Sequence, residues 1–109
     1  MGWRVAIGSL DGITVSEHFG RARLFYIVDI TLDGAAVLAE KREVVPICQG
    51  GAHSDDALSV TVDSLRDCAA ILVSKIGPGA RNILEARGLM VFEKADYIDD
   101  AVKKMAVYF

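Results

Sequence analysis

The chain has 109 residues, of which 52% are apolar and 25% charged, with a formal net charge of −3. That length fills one core with no room for a second, and the composition excludes a disordered chain. The acidic balance argues against nucleic acid as a partner, and no apolar run approaches the length of a membrane span. The N-terminus, Met1-Gly2-Trp3-Arg4, runs into a strand-like segment without a signal peptide's layout, so one cytoplasmic domain over 1–109 is expected.

Residues 3–8 alternate bulky and small side chains, as a strand against a core does. A loop follows, with Asp11-Gly12 as its turn signal and Ser16, Glu17 and His18 near its end. Residues 24–30, aromatic and β-branched, predict a second strand. Asp33-Gly34 is a hairpin signal, so 35–45 returns antiparallel as a third strand. Pro46 ends it, because proline cannot donate to a ladder. Residues 47–53 read as a glycine-rich loop.

Ser54 suits a helix N-cap, followed by Asp55 and Asp56 at the positive end of the dipole. Leu58, Val62 and Leu65 recur at helical spacing. The apolar run 69–74 predicts a central parallel strand. Pro78 suits the first turn of a helix over 78–87, which Gly88 caps. Residues 89–92 form the last strand. Asp96 opens a last helix with Ile98, Val102, Met105 and Phe109 on one stripe.

The order β-β-β-α-β-α-β-α predicts an α/β fold, a five-stranded mixed sheet with helices on its faces. Two antiparallel reversals make strands one and three point the same way, and right-handed crossovers give strand four that direction too. The loops after those three strands then emerge at one end of the sheet. They carry His18, Cys48 with His53, and the segment Lys75-Ile76-Gly77-Pro78-Gly79. Ligands of open α/β sheets usually bind at that end.

Cys48 and Cys68 are too few for a disulfide scaffold. Cys68 opens an apolar run and reads as a small buried hydrophobe. Cys48, in Cys48-Gln49-Gly50-Gly51, sits in a loop that would expose a thiolate of the kind iron–sulfur clusters use, or an incidental thiol. Gly50 and Gly51 would let a bulky ligand approach the backbone. His18 reads either as a metal ligand or as a loop imidazole bonded to a backbone carbonyl, and composition alone favours the second. Gly77 and Gly79 could present amides to an anion or serve only a tight turn. Lys75, Arg21 and Arg23 could balance anionic charge. Asp11 and Asp29 do not form a catalytic constellation, and no Ser-His-Asp spacing, Walker loop or dinucleotide fingerprint is present.

Val5-Ala6-Ile7, His18-Phe19-Gly20-Arg21-Ala22 with Phe25, Cys48-Gln49-Gly50-Gly51 and Lys75-Ile76-Gly77, in this order, resemble a known family. It is the dinitrogenase iron–molybdenum cofactor biosynthesis family of NifX-type proteins and of the C-terminus of NifB-type proteins. The resemblance spans essentially the whole chain. It implies a ribonuclease H-like fold and binding of the iron–molybdenum cofactor or its iron–sulfur cluster precursor. It also implies a histidine as metal ligand; His18 matches that histidine, which reverses the reading from composition. Cys48 matches the family's cysteine before the double glycine.

The expected metal ligands are therefore His18 and Cys48, with Gly50, Gly51, Lys75 and Gly77 completing the cofactor-binding set. The sequence carries no radical-SAM domain, so it should not assemble the cluster itself. The expected role is a non-catalytic carrier or scaffold, holding a cluster transiently between cluster donor and acceptor proteins. Two other roles stay open. One is a small thiol- or metal-dependent enzyme using Cys48 and His18. The other is a partner-binding module whose apolar Trp3 strand marks a homodimer edge.

Overall fold

Hydrophobic alternation along the first strand places Ala6 on one side of the sheet and Val5 and Ile7 on the other, and all three are fully buried. This is the signature of a central strand covered on both faces. The computed structural model describes residues 2–45, 48–49, 52–53 and 55–107, the backbone alone at 48–49, 52–53 and 55–57.

Strand β1 (Gly2–Gly8) pairs antiparallel with β2 (Leu24–Thr31), which pairs antiparallel with β3 (Ala36–Glu43). Gly34, at φ +86°, supplies the left-handed residue of the hairpin turn that Asp33-Gly34 predicts. A small antiparallel pair follows, β4 (Cys48–Gln49) with β5 (Ala52–His53), and then helix α1 (Asp55–Ser64). Strand β6 (Ala70–Val73), helix α2 (Pro78–Ala86), strand β7 (Met90–Glu93) and helix α3 (Ile98–Ala106) complete the chain. The main sheet has the order β3-β2-β1-β6-β7, with β6 parallel to both β1 and β7.

One face carries α1 and α2; Val62 of α1, Leu65 just past its end and Leu84 of α2 pack with Ala6, Phe25, Ile27, Ile71 and Val73. The other carries α3, whose Ile98, Ala101, Val102 and Met105 pack with Val5, Ile7, Val28, Ile30 and Leu72. Each of the larger side chains among these, Val, Leu, Ile, Phe or Met, contributes about 1.5–3 kcal/mol on burial. Cys68 is buried, as its apolar setting predicts, and burial pushes its thiol up to about 12. Gly88, at φ +90°, follows α2 as its stop signal implies.

Two expectations are corrected. The Trp3 strand is no edge: β1 is the middle strand, bonded to β2 on one side and β6 on the other, so it offers no open ladder to a second copy. The segment 47–53 is not loop throughout, because Cys48↔His53 and Gln49↔Ala52 form a ladder of their own. Gly50, Gly51, Ser54 and Phe109 lie outside the described residues, as do the side chains of Cys48 and His53.

Candidate functional site

Strands β1, β3, β6 and β7 all point the same way, so the loops that leave them emerge at one end of the sheet. At this end the chain doubles back between the tips of β1 and β6. The amides of Ser16 and Glu17 donate to the carbonyl of Gly8 at 3.1 and 3.2 Å, and the Ser74 amide donates to the Glu17 carbonyl at 3.0 Å. The Phe19 amide donates to the Lys75 carbonyl at 2.8 Å, making His18 and Lys75 a parallel bridge pair. The crevice at the sheet's switch point is thus filled by residues 16–19, and these carry His18.

Local sequence explains how. Glu17 and Phe19 are buried on either side of an exposed His18. Phe19 enters the core with its ring 6.3 Å from that of Phe25, and the turn Phe19–Arg21 closes on the His18 carbonyl through the Arg21 amide at 3.0 Å. Gly8 makes the close approach feasible, because a Cβ there would lie 3.0 Å from Glu17 Cβ and 3.2 Å from Val73 Cγ1. Among the described residues the His18 imidazole makes no hydrogen bond.

The Lys75–Gly79 turn sits beside it. The Ile76 amide donates to Glu93 Oε2 at 2.8 Å, which fixes the turn against the end of β7. Gly77 is the extended N-cap of α2, and Gly77 and Gly79 both face open space. The backbone of β4, which carries Cys48, lies against the turn Phe19–Arg21. His18, Lys75, Gly77 and the Cys48 backbone therefore occupy one end of the molecule. Asp29 does not: it pairs with Arg4 at 2.9 Å in the middle of the sheet, and Asp11 is spent on its own turn.

Charges of both signs stand at this end, and they differ in how the fold engages them. Arg21, Arg23 and Lys75 are exposed, and none makes an ion pair among the described residues. The neighbouring carboxylates are mostly engaged within the fold. Asp11 accepts the amides of Ile13 and Thr14, both at 2.9 Å, which lowers its carboxyl to about 2. Asp96 accepts the Tyr97 amide and Lys104, and its carboxyl is held below the ordinary range by them. Glu43 stands exposed at the end of β3. Gly8, Glu17 and Glu93, which shape this end, have no motif around them and were not singled out from sequence. Among the described residues no three His, Cys, Asp or Glu side chains gather into a closed metal site.

A family described as dinitrogenase iron-molybdenum cofactor matches residues 1–107. The chain belongs to that family. Among curated members, the FeMo cofactor biosynthesis protein NifB of Frankia alni is 38% identical over 104 residues, covering 93% of this chain and 20% of its own length. NifB of Herbaspirillum seropedicae is 34% identical over 85 residues, covering 78% of this chain and 16% of its own length. The chain thus spans about a fifth of the curated relatives it matches. The crystal structure of PH0822 superposes with a TM-score of 0.70 at 30% identity, covering 96% of this chain and 89% of that one. A Methanocaldococcus jannaschii protein shares the fold at 14% identity, with a TM-score of 0.60 over 99% of this chain and 91% of its own. No helix among the described residues of this family member is long and apolar enough to cross a membrane.

Proposed function

We propose that this chain binds an iron–molybdenum cofactor or its iron–sulfur precursor as cargo and passes it on, without chemistry of its own. The observation that carries this reading is the exposed His18 imidazole, held between two buried neighbours at a sheet end whose exposed cations make no ion pair among the described residues. Imidazole is a transition-metal ligand, and Arg21, Arg23 and Lys75 suit a sulfide-rich anionic cluster. Cys48 is the second proposed ligand, since β4 lies against the turn that follows His18. Gly50, Gly51 and Gly77 would let the cluster approach the backbone. A sparse ligand set leaves metal positions open for the receiving protein. The family and its NifB relatives, named for FeMo cofactor biosynthesis, agree with this cargo. The order of the sheet supports the ribonuclease H-like class that the family implies, and the proposed exchange with donor and acceptor proteins goes with a cytoplasmic site of action.

Anaerobic incubation with isolated iron–molybdenum cofactor, then gel filtration and metal analysis, tests the reading. The protein should retain molybdenum and iron, and His18→Ala should lose most of both. The exposed imidazole supports no core contact, so thermal stability should change by no more than about 0.5 kcal/mol. A folded His18→Ala variant with unchanged retention would remove His18 from the site. Loaded protein should yield its metal to an apo-acceptor. Full retention would point to storage, and repeated turnover of a small substrate, lost in Cys48→Ser, would make the chain an enzyme.

A further inference from the structure

In a glycine-rich loop, which is how 47–53 reads from sequence, Cys48 and His53 would have no fixed relation. The structure gives them one. Strands β4 and β5 form an antiparallel ladder whose register sets Cys48 opposite His53 and Gln49 opposite Ala52. Directly opposed residues of such a ladder share one face, with Cβ atoms about 4.5–5.5 Å apart, and the next residues along each strand take the other face. The register therefore puts the thiol-bearing and the imidazole-bearing position together on one face of the ladder, and Gln49 with Ala52 on the other.

A divalent ion such as zinc binds thiolate sulfur at about 2.3 Å and imidazole nitrogen at about 2.0–2.1 Å, so a cross-strand pair at that Cβ spacing can close both donors on one metal. Four residues separate Cys48 from His53, a spacing within the short loops that supply paired metal ligands. The ladder has already closed that loop, so much of the ordering cost of chelation is met in folding rather than in binding. A third donor is close in the fold. Strand β4 lies against the turn Phe19–Arg21, whose N-cap is His18.

From this register we infer that Cys48 and His53 form a chelating pair for a thiophilic transition metal, with His53 a metal ligand in its own right. The inference deepens the proposed function by adding His53 to His18 and Cys48, and it rests on that reading only for the identity of the metal centre. Thiolate and neutral imidazole accept several first-row divalent metals, so a single ion can probe the pair without the cargo.

Anaerobic titration of the reduced full chain with cobalt(II), followed by absorption, tests the pair. The chain has two cysteines, and Cys68 is buried with its thiol pushed up to about 12, so a thiolate-to-cobalt charge-transfer band in the near ultraviolet reports Cys48. The wild type should show that band, Cys48→Ser should lack it, and His53→Ala should bind cobalt at least about tenfold more weakly. His53→Cys, which exchanges one donor for another at the same register position, should restore tight binding with a stronger band. His53→Ala combined with Ala52→His should not restore it, because position 52 takes the other face. Circular dichroism should match the wild type throughout, since the ladder is a sheet apart from the main one.

No charge-transfer band in the wild type overturns the pair, as does a His53→Ala variant or a shifted histidine that binds cobalt as tightly as the wild type. A His53→Cys variant no better than His53→Ala overturns it too. Isolated iron–molybdenum cofactor, added to the same variants, separates this inference from the carrier reading. Cofactor retained equally by wild type and His53→Ala overturns His53 as a ligand to the cargo and leaves the carrier reading standing. A His53-dependent cobalt site in a chain that retains no cofactor overturns the carrier reading and upholds the pair.

Discussion

A single exposed residue such as His18 is defined by its flanks, and the same is true of the charged groups that hold the opposite part of the sheet. Asp67, just ahead of β6, accepts both Arg42 nitrogens at 2.7 Å and Arg4 at 3.1 Å, while Arg42 also donates to the Ser64 carbonyl at 2.7 Å and to Glu40. The Arg42 guanidinium, helped by Arg4, holds the Asp67 carboxyl well below its ordinary 3.8. Asp67→Asn should cost about 1–2 kcal/mol, discounted for partial exposure, measured by urea unfolding at neutral pH. A depressed carboxylate stabilises the fold fully above its unfolded pKa, and that contribution is lost as pH falls through the folded value. The wild-type advantage over Asp67→Asn should therefore shrink below about pH 4 and vanish in stronger acid. An advantage that grew on acidification would contradict the ion network. Neither Arg4 nor Asp67 is legible as a pair from sequence, because 63 positions separate them and only the sheet brings them together.

At the scale of elements, the decisive feature is the segment 16–19 wedged between the ends of β1 and β6. Its place depends on Gly8, whose missing Cβ leaves room for Glu17. Gly8→Ala should push the segment outward, costing about 1–3 kcal/mol from overpacking. It should also weaken cofactor retention more than the stability loss explains, because His18 moves with the segment. Thermal unfolding and metal analysis on the same preparation check this; full retention in a destabilised variant would show that His18 needs no such wedge. The helices and the five main strands were legible because their apolar periodicity is local. The β4–β5 ladder was not: two-residue strands are too short for a period, and glycines at 50 and 51 read as loop. The middle position of β1 was also hidden, since periodicity gives a strand's faces and not its neighbours.

For the whole molecule, the two cores share one sheet, so neither layer of helices has an independent partner. Urea should unfold the chain in a single transition, coincident by Trp3 fluorescence and by far-UV circular dichroism, with a slope of about 1–2 kcal/mol per molar. Two separated transitions would show that α3 and the α1–α2 layer fold apart. What the sequence by itself determined was the class of fold, the hairpin at Asp33-Gly34, the buried Cys68, and the arrival of His18 and Lys75 at one end. These follow from side-chain period, glycine geometry and strand direction, all of which are read along the chain. The tertiary structure alone decided that His18 bridges Lys75 through the backbone and that Glu93 holds the next amide. It alone decided that Leu10, Ile13 and Tyr97 stand exposed although each is a large apolar side chain. Those are relations between residues distant in the chain, and burial and charge pairing have no value until the sheet has brought them within reach.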